Sequence, residues 1–135
     1  MSENEGPIRR ISELALWVSD LDRAIEFYRD RLGSLEVEID PGKNAFLRSG
    51  DFLLVLFNPQ SPGTPLADEY LARTGGPMGY VYHAAFQIEP GQLDDYATGL
   101  REKGVEVRGP VRFGSGRVSY FIEDPDAHYI ELTDR

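Results

Sequence analysis

The sequence contains no cysteine. Disulfides, thiolate nucleophiles and zinc–thiolate sites are therefore excluded. Any metal must be held by nitrogen and oxygen, donors that suit Mn, Fe, Ni, Zn or Mg better than soft ions. Positive charge is scarce too: 14 Lys and Arg stand against 23 Asp and Glu, for a formal net charge of -9. That balance argues against nucleic acid or an anionic membrane surface as a partner. Long apolar runs are missing; Phe52 to Phe57 is the longest and is far too short to cross a membrane. The first residues carry Glu3 and Glu5 with no apolar run after them, unlike a signal peptide. These absences point to a soluble, cytoplasmic protein. No Ser-His-Asp set or phosphate-binding loop is visible, and Gly114-Ser115-Gly116 is only a turn.

What is present is enough for one domain. The chain has 135 residues, 41% of them hydrophobic, which suffices for a real core. Ser12 to Val18 alternates as a strand, with Glu13, Ala15 and Trp17 on one face and Leu14, Leu16 and Val18 on the other. Ser19-Asp20 starts a helix, Leu21, Ala24, Ile25, Tyr28 and Leu32 form its apolar stripe, and Gly33 ends it. Three strands follow: Leu35 to Asp40, then a hairpin of Asn44 to Arg48 and Phe52 to Phe57. A long connection from Asn58 to Gly79 has room for a short helix at Leu66 to Arg73. The pattern then restarts. Tyr80 to Ile88 reads as a strand, Leu93, Tyr96, Ala97 and Leu100 as a helical stripe, and Val105 to Val111, Arg117 to Ile122 and His128 to Thr133 as strands. The fold class is thus α+β: two βαβββ modules, 9–58 and 80–134, joined by a linker at 59–79 within a single domain 1–135. Duplicated units too small to bury their own sheets must pack together. Two curled half-sheets with helices outside would enclose a cup.

The polar and small strand faces would line that cup. The first and last strands of each module place Glu13, Val55, His83 and Glu131 inward. Two carboxylates and an imidazole can ligate a divalent ion and leave positions open for water or substrate, while Val55 cannot ligate. Each has a plainer reading: His83 as a hydrogen-bonded core histidine, Glu13 as a solvated strand end, Glu131 as an outward residue on an edge strand. His128, after the Asp124-Pro125-Asp126 turn, reads as a surface residue. Trp17 and Phe57 are either cup lining or core. Arg112 and Arg117 read either as cations that would answer an anionic substrate or as exposed, solvated arginines near a turn.

As a set these residues resemble the vicinal oxygen chelate superfamily, the glyoxalase, bleomycin-resistance and extradiol-dioxygenase group. The matching pieces are Val18-Ser19-Asp20-Leu21 with Phe27-Tyr28 and Leu32-Gly33, then His83 with Ala85-Phe86, then Tyr120-Phe121, Asp124-Pro125-Asp126 and Ile130-Glu131-Leu132. The resemblance implies metal ligands at the positions of Glu13, Val55, His83 and Glu131, hence three ligands here. The second half is most similar to fosfomycin-resistance proteins, which implies that Ser119 faces the cup and helps hold an oxyanion. Ala15 stands where that group has a threonine. Ala127 replaces a glycine usual in its turn, so that turn is expected to avoid a positive φ.

Two functions follow from the resemblance, beside a plainer one, an interaction or accessory domain with no ligand, against which the small side chains around His83 argue. In one, a divalent ion held by Glu13, His83 and Glu131 acts as a Lewis acid on vicinal oxygens, in a lyase, isomerase or thiol transferase. In the other, a metal-free homodimer binds a drug or metabolite, as in bleomycin-resistance members. Trp17, Phe57, Gln87, Ser119 and Phe121 are the candidate substrate-binding residues.

Overall fold

The computed structural model describes residues 6–7, 10–77, 83–113 and 116–134. The polar stretch 1–5, the opening of the strand expected from Tyr80, and Gly114-Ser115 of the expected turn lie outside the described residues. The elements are β1 (Glu13–Trp17), α1 (Leu21–Ile25) continuing into a π-helical turn (Glu26–Arg31), β2 (Leu35–Asp40), β3 (Asn44–Ser49) and β4 (Phe52–Phe57). Then come α2 (Pro65–Thr74), β5 (His83–Gln87), α3 (Leu93–Glu102), β6 (Arg108–Arg112), β7 (Val118–Glu123) and β8 (Tyr129–Thr133). The strands form two four-stranded sheets, ordered β1-β4-β3-β2 and β5-β8-β7-β6. Each sheet pairs its first and last strands in parallel and the others antiparallel.

Local chemistry sets the helices. The Asp20 side chain accepts from the Arg23 amide at 3.1 Å and caps α1. Thr64 does the same for α2, with Pro65 in the first turn and left-handed Gly75 at its end. The spacing of 21–32 predicts a regular α-helix, but its second half widens: the Leu32 amide bonds the Phe27 carbonyl five residues back, at 3.0 Å. The extra residue in that turn lets both Phe27 and Tyr28 point inward, their rings edge-to-face at 5.1 Å. A 3.6-residue period had put only Tyr28 on the apolar stripe.

One hydrophobic cluster serves both modules. It takes the helix stripes (Leu21, Ala24, Ile25, Leu93, Ala97, Leu100) and one face of each sheet (Leu16, Leu54, Leu56, Tyr120, Ile130, Leu132). Each helix also sends a tyrosine across. The Tyr96 hydroxyl donates to the Leu32 carbonyl at 2.7 Å, and the Tyr28 hydroxyl donates to Asp124 at 2.7 Å. The modules therefore meet on their helical sides. The opposite faces, bearing Glu13 and Ala15 on β1 and His83, Ala85 and Gln87 on β5, stay exposed. The cup expected inside one chain is present as two open halves.

The turn before β8 differs from expectation in two ways. His128 is buried, 6% exposed, with Nδ1 2.7 Å from Asp124. The Asp124 carboxylate, buried against Tyr28, needs donors, and the imidazole supplies one. Ala127 adopts φ 66, the left-handed region, despite its Cβ. The turn is overdetermined: Asp124 accepts from the amides of Asp126 and His128, and the Ala127 amide bonds the Asp124 carbonyl.

That strain predicts that Ala127→Gly stabilises the protein by roughly 0.5–1 kcal/mol, since glycine adopts this φ without the Cβ penalty. A thermal melt checks it; an unchanged or lower Tm shows the turn to be relaxed with alanine.

The Asp124–His128 pair also links stability to pH. Burial pushes the Asp124 carboxyl up, but hydrogen bonds from His128 and Tyr28 and the His128 charge hold it below its ordinary value. The hydrogen bond that His128 donates to Asp124, and the Asp124 charge, hold His128 above 6.5. The His128 contribution is full below the unfolded value of about 6.5 and is lost as pH rises through the higher folded value. The Asp124 contribution is present above about 3.9 and is lost as pH falls through the lower folded value. Urea unfolding is expected to show wild-type stability declining above about pH 6.5, and His128→Gln removing that decline. A decline that persists in the variant assigns it to another group.

Candidate functional site

The two sheets carry the same register at corresponding positions. In the first, parallel pairing sets Ala15 opposite Val55; in the second, Ala85 opposite Glu131. Glu13 and His83 lie two residues before those alanines. Val55 thus occupies in the first module the slot that Glu131 occupies in the second, and that slot holds a carboxylate only once.

Glu131 is central to the second module. Its strand alternates, so Ile130 and Leu132 enter the core while Glu131 turns to the open face. It is nonetheless 4% exposed, so the reading of an outward, solvated glutamate does not hold. One carboxylate oxygen, Oε2, accepts from the Ser119 hydroxyl at 2.7 Å and from the Arg117 guanidinium. The other, Oε1, lies 3.5 Å from His83 Nε2. Burial works to raise the Glu131 pKa, but the hydrogen bonds from Ser119 and Arg117 and the charges of Arg117 and His83 hold it below the usual carboxylate range. Glu131 is therefore an anion at neutral pH. The His83 side chain is 39% exposed, open toward whatever occupies the face.

Arg117 follows from packing rather than motif. The amide of Phe113 bonds its carbonyl at 2.8 Å, and its guanidinium lies 5.5 Å from the Phe113 ring. The sequence leaves Arg117 either answering an anionic substrate or solvated near a turn; in the structure its guanidinium bonds Glu131. Ser119, expected to hold an oxyanion of the substrate, is fully buried and bonds Glu131 instead. Phe121 stacks on Tyr129 at 5.3 Å on the same face. Gln87 is exposed further along β5 and lines a cleft of about 800 Å³ with Arg48, Phe52 and Tyr96.

The first module's open face is aromatic. Trp17 lies 5.7 Å from Phe57 and stacks on Tyr70 of α2 at 6.0 Å. The linker helix thus covers Trp17, a contact that no sequence period signals. Among the described residues no group of three or more His, Cys, Asp or Glu gathers to hold a metal. Within one chain His83 and Glu131 meet, and Glu13 does not join them.

The pair still fits a metal. Two ligands about 2.1 Å from one tetrahedral ion are about 3.4 Å apart. The separation of His83 Nε2 and Glu131 Oε1 matches that edge. An imidazole nitrogen and one carboxylate oxygen are also suitable donors for a borderline divalent ion.

The model of the Glyoxalase/Bleomycin resistance protein/Dioxygenase superfamily matches residues 10–132. The chain belongs to this superfamily. It is 33% identical to a lactoylglutathione lyase of Haemophilus influenzae, covering 93% of this chain and 92% of that protein. It is 26% identical to the metallothiol transferase FosB of Staphylococcus saprophyticus, over 93% of this chain and 76% of the relative. Identity to biphenyl-2,3-diol 1,2-dioxygenase 3 of Rhodococcus globerulus is 32%, over 91% of this chain, which spans only 62% of that protein's length. Among solved structures, a lactoylglutathione lyase from Agrobacterium tumefaciens superposes with a TM-score of 0.78 at 29% identity, covering 95% of each chain. Membership in the glyoxalase superfamily, with lyase, dioxygenase and metallothiol transferase relatives, supports a metal-dependent enzyme.

Ser119 is expected to hold Glu131 in place. Ser119→Ala removes a donor from a buried carboxylate and is expected to destabilise the fold by about 1–3 kcal/mol. Urea denaturation measures it, and a loss below about 0.5 kcal/mol would show that Arg117 alone satisfies Oε2.

Proposed function

We propose that this glyoxalase-superfamily chain is a divalent-metal-dependent enzyme acting on a small molecule with adjacent oxygens, as a lyase, isomerase or thiol transferase. The observation that carries the reading is the Glu131–His83 pair: a buried anion offers one oxygen beside an accessible imidazole, at the spacing of two ligands on one ion. His83 and Glu131 would hold the metal, a Mn, Fe, Ni, Zn or Mg ion, and Glu13 of a second copy would supply the third protein ligand. The open faces of both sheets support that homodimer, because each exposes half of a cup that another copy can close. When bound, the ion supplies Lewis-acid polarisation of the substrate oxygens.

The chain's own residues do the rest. Arg117 and Ser119 fix Oε2, so Glu131 presents a single oxygen. Phe121 and Tyr129 form an apolar wall on the same face, and Gln87 offers an amide to a substrate lying along β5. Trp17 and Phe57, beneath Tyr70, would line the facing half from the second copy. Val55 brings no acid and Ala15 no hydroxyl to the facing half. The relatives' activities span dioxygenation, thiol transfer and lyase chemistry. Extradiol iron favours two histidines and one carboxylate, and the donor set here has one histidine, which favours the last two.

Metal analysis of protein purified without chelator or nickel resin tests the reading. Near-stoichiometric metal is expected in wild type and none in His83→Gln or Glu131→Gln. Mixing Glu13→Gln protein with His83→Gln protein is expected to restore one of the two sites in each mixed dimer, because one site is rebuilt from intact halves while the other carries both substitutions. Wild type devoid of metal that binds an aromatic or cationic drug tightly would establish the metal-free binding reading instead.

A further inference from the structure

The Arg117–Glu131 pair has a consequence for the substrate, resting on the metal reading above. Arg117 cancels the charge of Glu131 inside the site. As a ligand, His83 is neutral. A divalent ion between His83 and Glu131 would keep much of its positive charge, and the site would stay net positive even with Glu13 of a second copy in place. We infer that Arg117 is a positioning and specificity residue: by neutralising Glu131 it leaves the metal-loaded site positive, so that the enzyme selects a small anionic substrate over a neutral one with the same pair of oxygens.

The geometry restricts how Arg117 achieves this. Its guanidinium lies against the Phe113 ring and on Oε2, with Ser119 on the same oxygen. Oε1 alone faces His83. Arg117 thus acts through Glu131 and through its field, not as a ligand. A cation so close to the ion repels it, so Arg117 weakens metal binding while it strengthens anion binding. A residue with only a scaffolding role would change both in the same direction or neither.

The experiment uses full-length protein, checked for folding by circular dichroism. Mn(II) is titrated into wild type, Arg117→Gln, Arg117→Lys and Glu131→Gln, with free Mn(II) read by electron paramagnetic resonance. Glycolate and its neutral counterpart glycolamide are then titrated into the Mn(II)-loaded proteins and followed by water-proton relaxation. Arg117→Gln is expected to bind Mn(II) roughly tenfold tighter and glycolate roughly tenfold more weakly, with glycolamide unchanged, as removal of one nearby, half-exposed charge implies. Arg117→Lys is expected to behave as wild type. Arg117→Met replaces Arg117→Gln if the latter does not fold. Weaker or unchanged Mn(II) binding in Arg117→Gln, or an equal loss of glycolate and glycolamide, overturns the inference while the metal reading stands. Wild type that takes up no Mn(II) overturns both.

Discussion

The buried carboxylate of Asp124 is the contact on which the arrangement of the two modules rests. It accepts from the Tyr28 hydroxyl of the first module, from His128 Nδ1, and from the amides of Asp126 and His128. Desolvating such an anion costs several kcal/mol. Hydrogen bonds to a charged group contribute about 1.5–3 kcal/mol each, so four of them offset that cost only while all are made. Asp126 adds a second tie by accepting from the Ser19 amide at the head of α1. The first helix and the last turn are thereby fixed to each other. β8 leaves that turn directly, so the same contact anchors the start of the strand whose pairing with β5 and β7 places Glu131.

The duplication makes the two halves alike in backbone and unlike in chemistry. The parallel pairing of first and last strands repeats residue for residue, with alanine opposite Val55 in one sheet and opposite Glu131 in the other. In the first half the open face is filled by Trp17, Phe57 and Tyr70. In the second it carries an imidazole, a carboxylate and a guanidinium. One half thus carries shape and apolar area, the other charge and nitrogen and oxygen donors.

The elements and the His83–Glu131 pairing were legible because they rest on period and symmetry. Alternation put both residues on one strand face, and the repeated strand–helix–strand order made first and last strands neighbours. The misjudged features depend on contacts that follow no period, some of them within a single turn and some between distant segments. His128 is buried because Asp124 and Tyr28 await it from 96 residues apart. Ala127 is left-handed because three hydrogen bonds outweigh its Cβ. The π-helical turn rests on the demand that two aromatic neighbours both enter the core. Arg117 carries no periodic signal, and its part at Glu131 follows only from where the β6–β7 connection returns.

That last contact also separates folding from ligation. Two acids closing on one cup without a cation would repel, and one of them would protonate. Glu131 escapes this, because Arg117 and Ser119 hold it ionised without an ion. The fold therefore does not need the metal to balance a buried charge, unlike small domains whose folding energy is metal binding. A site already compensated by the protein can stay ordered while empty, with the exposed imidazole and one carboxylate oxygen turned to the same opening. Such preorganisation, on the metal reading proposed above, would leave the charge of a bound ion for the substrate rather than for the protein.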